Sequence, residues 1–198
     1  MKNSAPFRAI LFQAVILSNT FLSLLSCNDM TKANDNKKMA EKSNETYVKT
    51  VNMEKDAQFL AEATVVNVEE IRLGQLAQQK STVKDVKDLG KMMENGHVKA
   101  LNDLTALAAK KSITIPQSPI DKVEQAHKDL SAKSKMDFDK SYSMIMVDGH
   151  KKAIALFEKA AAECNDPDIK QWASSMLPDL RMHLDMAVTT KSKVDKMK

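Results

Sequence analysis

Apolar residues recur at steps of three and four through four separate stretches of this chain, and that periodicity restricts it to packed amphipathic helices. The first stretch opens near Asp56 and carries Phe59, Glu62, Val66, Glu69, Leu73 and Leu76 to about Lys80. The second follows Ser81-Thr82 and Asp85, a capping pattern, and runs through Val86, Leu89, Met93, His97, Ala100, Leu104 and Leu107 to Lys110-Lys111. The third is expected to start after an Asp137 cap and shows Phe138, Tyr142, Met146, Gly149, His150, Ala153, Phe157 and Ala160. Asp166 as cap and Pro167 at the first helical position open the fourth, with Ile169, Trp172, Met176, Leu180, His183 and Ala187 on one stripe and Pro178 expected to kink it. Only four Gly, five Pro and 5% aromatic residues accompany this pattern, a mixture poor in strand-forming runs.

Connection lengths then suggest an arrangement. The first and second helices, and the third and fourth, are joined by turns so short that each pair must be antiparallel. Between the two pairs lie Ser112 to about Met136, broken at Pro116 and Pro119 and holding a short amphipathic segment with Ile120, Val123, His127 and Leu130. A connection of that length can run the length of the bundle. The expected fold is therefore all-α: a four-helix up-down bundle, ferritin-like, with one long crossover that makes the second and third helices parallel. An internal likeness agrees, since Met93-Glu94-Asn95-Gly96-His97-Val98-Lys99-Ala100-Leu101 matches Met146 to Ile154 at five positions, including the Gly-His dipeptide.

Ahead of the bundle, residues 1–26 read as an export signal. Lys2 and Arg8 precede an imperfect apolar stretch from Ala9 to Leu25, too short and interrupted for a stable span. Leu24-Leu25-Ser26-Cys27 resembles the bacterial lipobox, which implies lipidation of Cys27 and anchoring to a membrane; Asn28 and Asp29 do not form the simplest inner-membrane retention pattern, so the outer membrane is expected, with the domain facing the periplasm or the exterior. Residues 27–54 are polar and lysine-rich and are expected to be a flexible tether, with the bundle over 55–192. The formal charge of +4 falls to +2 once Lys2 and Arg8 are removed with the signal, and acids alternate with bases along the helices, so no nucleic acid partner is expected. With Cys27 lipidated, Cys164 is left without an intramolecular disulfide partner and is read as a small packed thiol.

The runs LGQLAQQKSTVKDVKDLGKMMENGHVKALNDLTALA, FDKSYSMIMVDGHKKAIALFEKAA and DPDIKQWASSMLPDLRMHLDMA resemble the bacterial domain-of-unknown-function family numbered 4142. The resemblance covers residues 56–188 and implies a ferritin-like fold and an outer-membrane or envelope location. Members often carry Asp-His where this chain has Gly96-His97 and Gly149-His150. No reaction comes with the resemblance.

Helix geometry singles out one level of the bundle. At a rise of about 1.5 Å per residue, His97, His150 and His183 fall within roughly one turn of each other, and the same level of the first helix lies between Glu62 and Glu69. These residues sit on stripes otherwise filled by Leu, Val, Met, Phe and Ala, so each is expected to point inward. A buried carboxylate needs a partner, which makes a transition-metal site of His97, His150, His183, Glu62, Glu69 and Glu94 one reading, with Asp148 and Asp179 behind the ligands. Iron, zinc, manganese or copper would suit such donors. Glu94 and His97 have the Glu-x-x-His spacing of di-iron bundles, but the set is incomplete: the third helix offers Asp148 and His150, and Asp179 and His183 are four residues apart instead of three. The alternative is a metal-free structural or protein-interaction module whose polar layer fixes register. His127 is read as a surface residue. Met92, Met93, Met144, Met146, Met176, Met182 and Met186 lie near the histidines and are read as core filling before copper(I) ligands. Gly96 and Gly149, in mid-helix, cost about 1 kcal/mol each relative to Ala and call for a close approach that compensates. No phosphate loop, nucleophile elbow or zinc-finger spacing occurs, so an enzyme is not expected and no catalytic residue is assigned.

Overall fold

The computed structural model describes residues 29–117 and 120–197, with side-chain burial from Met53 onward. Among the described residues are five helices and no strand: α1 Asp29–Lys80, α2 Lys84–Lys110, α3 Asp121–Ser131, α4 Lys135–Glu163 and α5 Pro167–Val194. The protein is an all-α helical bundle. The chain divides between Ser43 and Asn44, and the core and the candidate site lie in the second unit. Residues 1–28, which hold the expected signal and Cys27, lie outside the described residues.

Local chemistry explains most boundaries. Asp166 caps α5 as expected, its carboxylate accepting from the backbone N–H groups of Asp168 at 2.9 Å and Ile169 at 3.2 Å, with Pro167 in the first turn where a missing N–H is harmless. α5 continues through Pro178, which is exposed. The α1–α2 turn uses Ser81 differently from a cap: its hydroxyl accepts from Val83 N at 3.0 Å inside the turn, and Val83 itself is the N-cap residue without a side-chain bond. α4 starts at Lys135, so Asp137 is not its cap but an acid in its first turn, where the helix dipole favours negative charge. α3 is the amphipathic segment of the crossover and buries Val123 and Leu130.

The first helix departs furthest from expectation. It takes in residues 29–54, the segment expected to be a flexible tether. Those residues include five Lys, three Glu and three Met, which favour helix whether or not an apolar face exists; the missing periodicity excluded a packed stripe there, not helical backbone.

Side-chain pairings fix the helix directions. Asn67 meets His97 and Gly74 meets Gly90, so α1 and α2 are antiparallel. Glu158 pairs with Arg181 and His150 lies against His183, so α4 and α5 are antiparallel. Lys110 reaches Asp168 while Lys193 reaches Asp85, which makes α2 and α5 antiparallel as well. α2 and α4 run in the same direction, as the long crossover requires. At one end, Asp56 is buried and accepts from the backbone N–H groups of Asn165 at 2.8 Å and Asp166 at 3.0 Å, tying α1 to the α4–α5 turn.

The buried apolar residues form two clusters. One holds Phe59, Leu60, Leu104, Phe157, Ile169 and Leu180, with Phe59, Phe157 and Trp172 in mutual ring contact at centroid distances of 5.2–5.9 Å. The other holds Leu73, Leu89, Met93, Phe138, Tyr142 and Met146. On every long helix the switch from one cluster to the other falls at a polar position: Asn67 and Glu70 on α1, His97 on α2, His150 on α4 and His183 on α5. A polar layer thus divides the core.

α1 and α2 approach by backbone. A Cβ at Gly74 would stand 2.6 Å from the Gly90 carbonyl oxygen, and one at Gly90 would stand 2.7 Å from that of Gly74. At an open helical position Gly→Ala stabilises by about 1 kcal/mol; here overpacking reverses the sign. Gly74→Ala and Gly90→Ala are each expected to lower unfolding free energy by about 1–3 kcal/mol in urea titrations. A stabilised Gly74→Ala protein would contradict the close crossing.

Candidate metal centre

His97, His150 and His183 come together at the dividing layer. They are 2%, 1% and 4% exposed, their ring centroids are 5.3–5.5 Å apart, and one ring nitrogen from each lies within 4.8 Å of the others'. Three imidazoles in van der Waals contact inside an apolar core have few means of satisfying their polar atoms, so the hydrogen-bond partners decide what the group can do.

The partners fix two tautomers. His97 Nδ1 lies 2.9 Å from Asn67 Oδ1, and the Asn67 amide is oriented because its Nδ2 donates to the Ala63 carbonyl at 2.8 Å. Oδ1 is therefore the atom facing the ring, and Nδ1–H is the donor. His150 Nδ1 lies 2.9 Å from the Met146 carbonyl oxygen, which only accepts, so Nδ1–H donates there too. In both rings Nε2 is left with a lone pair, and both Nε2 atoms are buried without a partner, as is Nδ1 of His183. Rings held through one nitrogen by an amide or carbonyl oxygen, with the other nitrogen bare, have the orientation of metal-bound histidines.

Electrostatics keeps these lone pairs free. Burial, reinforced by His150 and His183, holds His97 well below the usual imidazole range. Burial pushes His150 down to about 4 against the opposing hydrogen bond to Met146, and lowers His183 despite the nearby Asp179 carboxylate. At neutral pH the layer is uncharged and basic only toward a Lewis acid.

The acids distribute otherwise than the sequence suggested. Glu62 is exposed and accepts from Gln58 Nε2 at 2.9 Å, while Glu69 is only half-buried. The inward positions of α1 are instead Ala63, Thr64, Asn67 and Glu70, about one residue round the helix from the expected stripe. Polar Asn67 and Glu70 had no place in a stripe chosen for apolar neighbours, which is why sequence reasoning missed them; their spacing of three residues at the level of the histidines was the available signal. Glu94 turns away from His97 to the α1–α2 seam, accepting from Gln75 at 2.8 Å and Gln78 at 2.7 Å, bonds that lower its carboxyl below the usual range. Asp148 and Asp179 are exposed on the outer faces of α4 and α5.

Glu70 is the acid that reaches the layer. It is buried, Oε1 stands 3.6 Å from His150 Nδ1, and Oε2 has no partner. Burial, with a contribution from Glu69, raises its carboxyl well above the usual range. The two mid-helix glycines serve these groups. A Cβ at Gly96 would lie 2.7 Å from His183 Cε1, and one at Gly149 would lie 3.1 Å from Glu70 Oε1. Met93 and Met146, one turn before His97 and His150, are fully buried in the apolar cluster beside the layer, whereas Met144, Met182 and Met186 are exposed. Cys164 is also buried, at the end of α4 near Asp56, and burial ahead of that carboxylate pushes its thiol up to about 12, the state of a packed, protonated thiol. His127 is half-buried on α3, away from the other three.

Fold and site together define an all-α bundle with a buried three-histidine layer. The chain belongs to the family described as a domain of unknown function (DUF4142), which matches residues 37–190. No curated protein matches it in sequence. Two solved structures share the fold: a DUF305 fragment from Deinococcus radiodurans, at 14% identity and a TM-score of 0.60 over 72% of this chain and 96% of that one; and a DUF305 protein from Streptomyces coelicolor, at 11% identity and a TM-score of 0.61 over 71% and 92%.

The depressed histidines carry a pH signature. Unfolded histidine protonates near 6.5, whereas His150 in the fold protonates only at about 4, so the unfolded chain binds more protons in that window and stability falls as the pH drops through it. Glu70 acts oppositely, its raised carboxyl contributing stability at low pH that is lost as the pH rises through its folded value. Between about pH 7 and pH 5, with chelator present, His150→Gln is expected to lose about 2 kcal/mol less than the wild type. Equal losses in paired urea titrations would show that His150 is not held neutral.

Proposed function

We propose that this protein is a lipid-anchored module of the bacterial envelope that holds one transition-metal ion on His97, His150 and His183. Two observations carry the reading: one ring nitrogen from each histidine lies within 4.8 Å of the others', and each ring has one buried nitrogen with no hydrogen-bond partner. Each such atom is costly to bury unmet, and an ion would satisfy all three together. In this reading the four long helices form a ferritin-like up-down bundle, with α3 riding on the crossover.

Asn67 and the Met146 carbonyl hold two of the rings from behind, and Glu70 stands beside His150 as the nearest carboxylate. Three nitrogen donors leave a coordination position open, as in zinc sites of the three-histidine kind, and iron, manganese or copper are also compatible with imidazole. Donors spread up to 4.8 Å are wider apart than the about 3.4 Å that a tetrahedral ion with nitrogen bonds of about 2.1 Å requires, so binding would draw the rings inward by about an ångström. Storage, buffering or oxidation of a metal fits such a site; hydrolysis or group transfer lacks a nucleophile with its base. Lipidation of Cys27 would place the bundle at the outer membrane, on its periplasmic or outer side.

A second reading, a metal-free structural or interaction module, draws on the same hydrogen bonds, because Asn67 and Met146 already order two rings without an ion. Metal analysis separates the two. After incubation with iron, zinc, manganese or copper and removal of excess, the wild type is expected to retain about one ion of its preferred metal per chain, and His97→Ala and His150→Ala to lose at least tenfold in affinity by calorimetry. Retention of none, with both substitutions altering only stability, selects the structural reading. For the anchor, mass spectrometry of the membrane fraction is expected to find acylated Cys27 at the amino terminus; a product beginning elsewhere would refute it.

A further inference from the structure

We infer that the groove between α1 and α4 is an outer cation-binding site, through which a hydrated divalent cation reaches the histidine layer; this rests on the metal reading above. The groove has a volume of about 480 Å³ and takes carboxylates from Glu62, Glu69, Glu70 and Asp148, against the amines of Lys122 and Lys152. An ion with six waters needs about 200 Å³ at about 30 Å³ per water, so it fits without shedding them.

Acidic side chains alone would be an ordinary solvated face. The distinguishing feature is Glu70, which is 95% buried, is one of the groove's lining residues and has one carboxylate oxygen, Oε2, without a partner. Gly149, which also lines the groove, leaves room for this carboxyl, since a Cβ there would stand 3.1 Å from its other oxygen, Oε1. The same Glu70 oxygen stands 3.6 Å from His150 Nδ1. One residue therefore touches both the groove and the histidine layer. Glu62, Glu69 and Asp148 are not gathered tightly enough with other ligands to chelate an ion among the described residues, which suits attraction of an ion that keeps its water.

A second opening, of about 500 Å³ between α2 and α5, touches His183 and Gly96. Its lining carries Asp88 and Asp179 with Lys91, and Asp88 is already bonded to Lys84. The α1–α4 side carries the larger number of carboxyl groups, and on that side a buried acid, Glu70, stands 3.6 Å from a ring nitrogen of the layer.

The test is stopped-flow binding of Co²⁺ to the purified full chain, followed by the visible absorption of the bound ion. Replacing Glu62→Gln, Glu69→Gln and Asp148→Asn together is expected to slow association about tenfold at low ionic strength, with the difference vanishing at high salt and the final spectrum unchanged. The paired change Asp88→Asn and Asp179→Asn is expected to leave the rate within twofold. Equal rates for the triple variant and wild type, or a larger slowing in the Asp88 and Asp179 variant, would overturn the route while leaving the histidine site standing. Absence of any Co²⁺ spectrum in the wild type would overturn both the route and the metal reading.

Discussion

Three neutral imidazoles buried side by side are the constraint on which the rest of the structure turns. Apolar clusters above and below bury the three rings, and that burial is what keeps His97, His150 and His183 uncharged. The layer in turn dictates its surroundings. Asn67 occupies an inward position of α1 because a ring needs an acceptor there, and its own amide is held by Ala63 so that the acceptor faces the ring. Gly96 and Gly149 accept the conformational cost of glycine in mid-helix because His183 and Glu70 fill the space a methyl group would take. The repeated Gly-His dipeptide is therefore one solution used twice, once to seat a ring from α5 and once to seat a carboxylate from α1.

Such a layer is expensive for stability alone. Hydrophobic residues of similar volume would remove three unmet nitrogens and the unmet Glu70 oxygen, and buried polar groups exchanged for packed apolar ones often leave a fold as stable or more so. The neighbours show that the fold did not need polarity at this depth: Met93, Met146 and Leu180 pack without any polar requirement one turn away. What the imidazoles supply that leucine cannot is one ring nitrogen from each of three helices within 4.8 Å of the others.

The all-α bundle, the amphipathic segment that forms α3, the Asp166 cap and the common level of the three histidines were legible in the sequence, because each depends on periodicity or on residue type at a helix end. The acids were not. Glu62 and Glu69 lie one position off the inward face, a rotation of about 100° that periodicity cannot resolve when the inward residues are themselves polar. Glu94 kept its three-residue spacing to His97 yet points to a different seam, because Gln75 and Gln78 on α1 offer it two donors. Partners on another helix decide such orientations, and no spacing within one helix encodes them. The long reach of α1 was hidden for a different reason: helical propensity and a packed face are separate properties, and only the second leaves a periodic mark.

The most direct measurement of the central claim is nitrogen-15 NMR of the histidine rings in metal-free protein at neutral pH, followed by addition of Zn²⁺. The hydrogen bonds predict that His97 and His150 are neutral Nδ1–H tautomers, and the proposed metal site predicts that a single equivalent of Zn²⁺ shifts their Nε2 resonances together with Nδ1 of His183, leaving His127 unmoved. Nε2–H tautomers at His97 and His150, or three ring spectra unchanged by Zn²⁺, would contradict it.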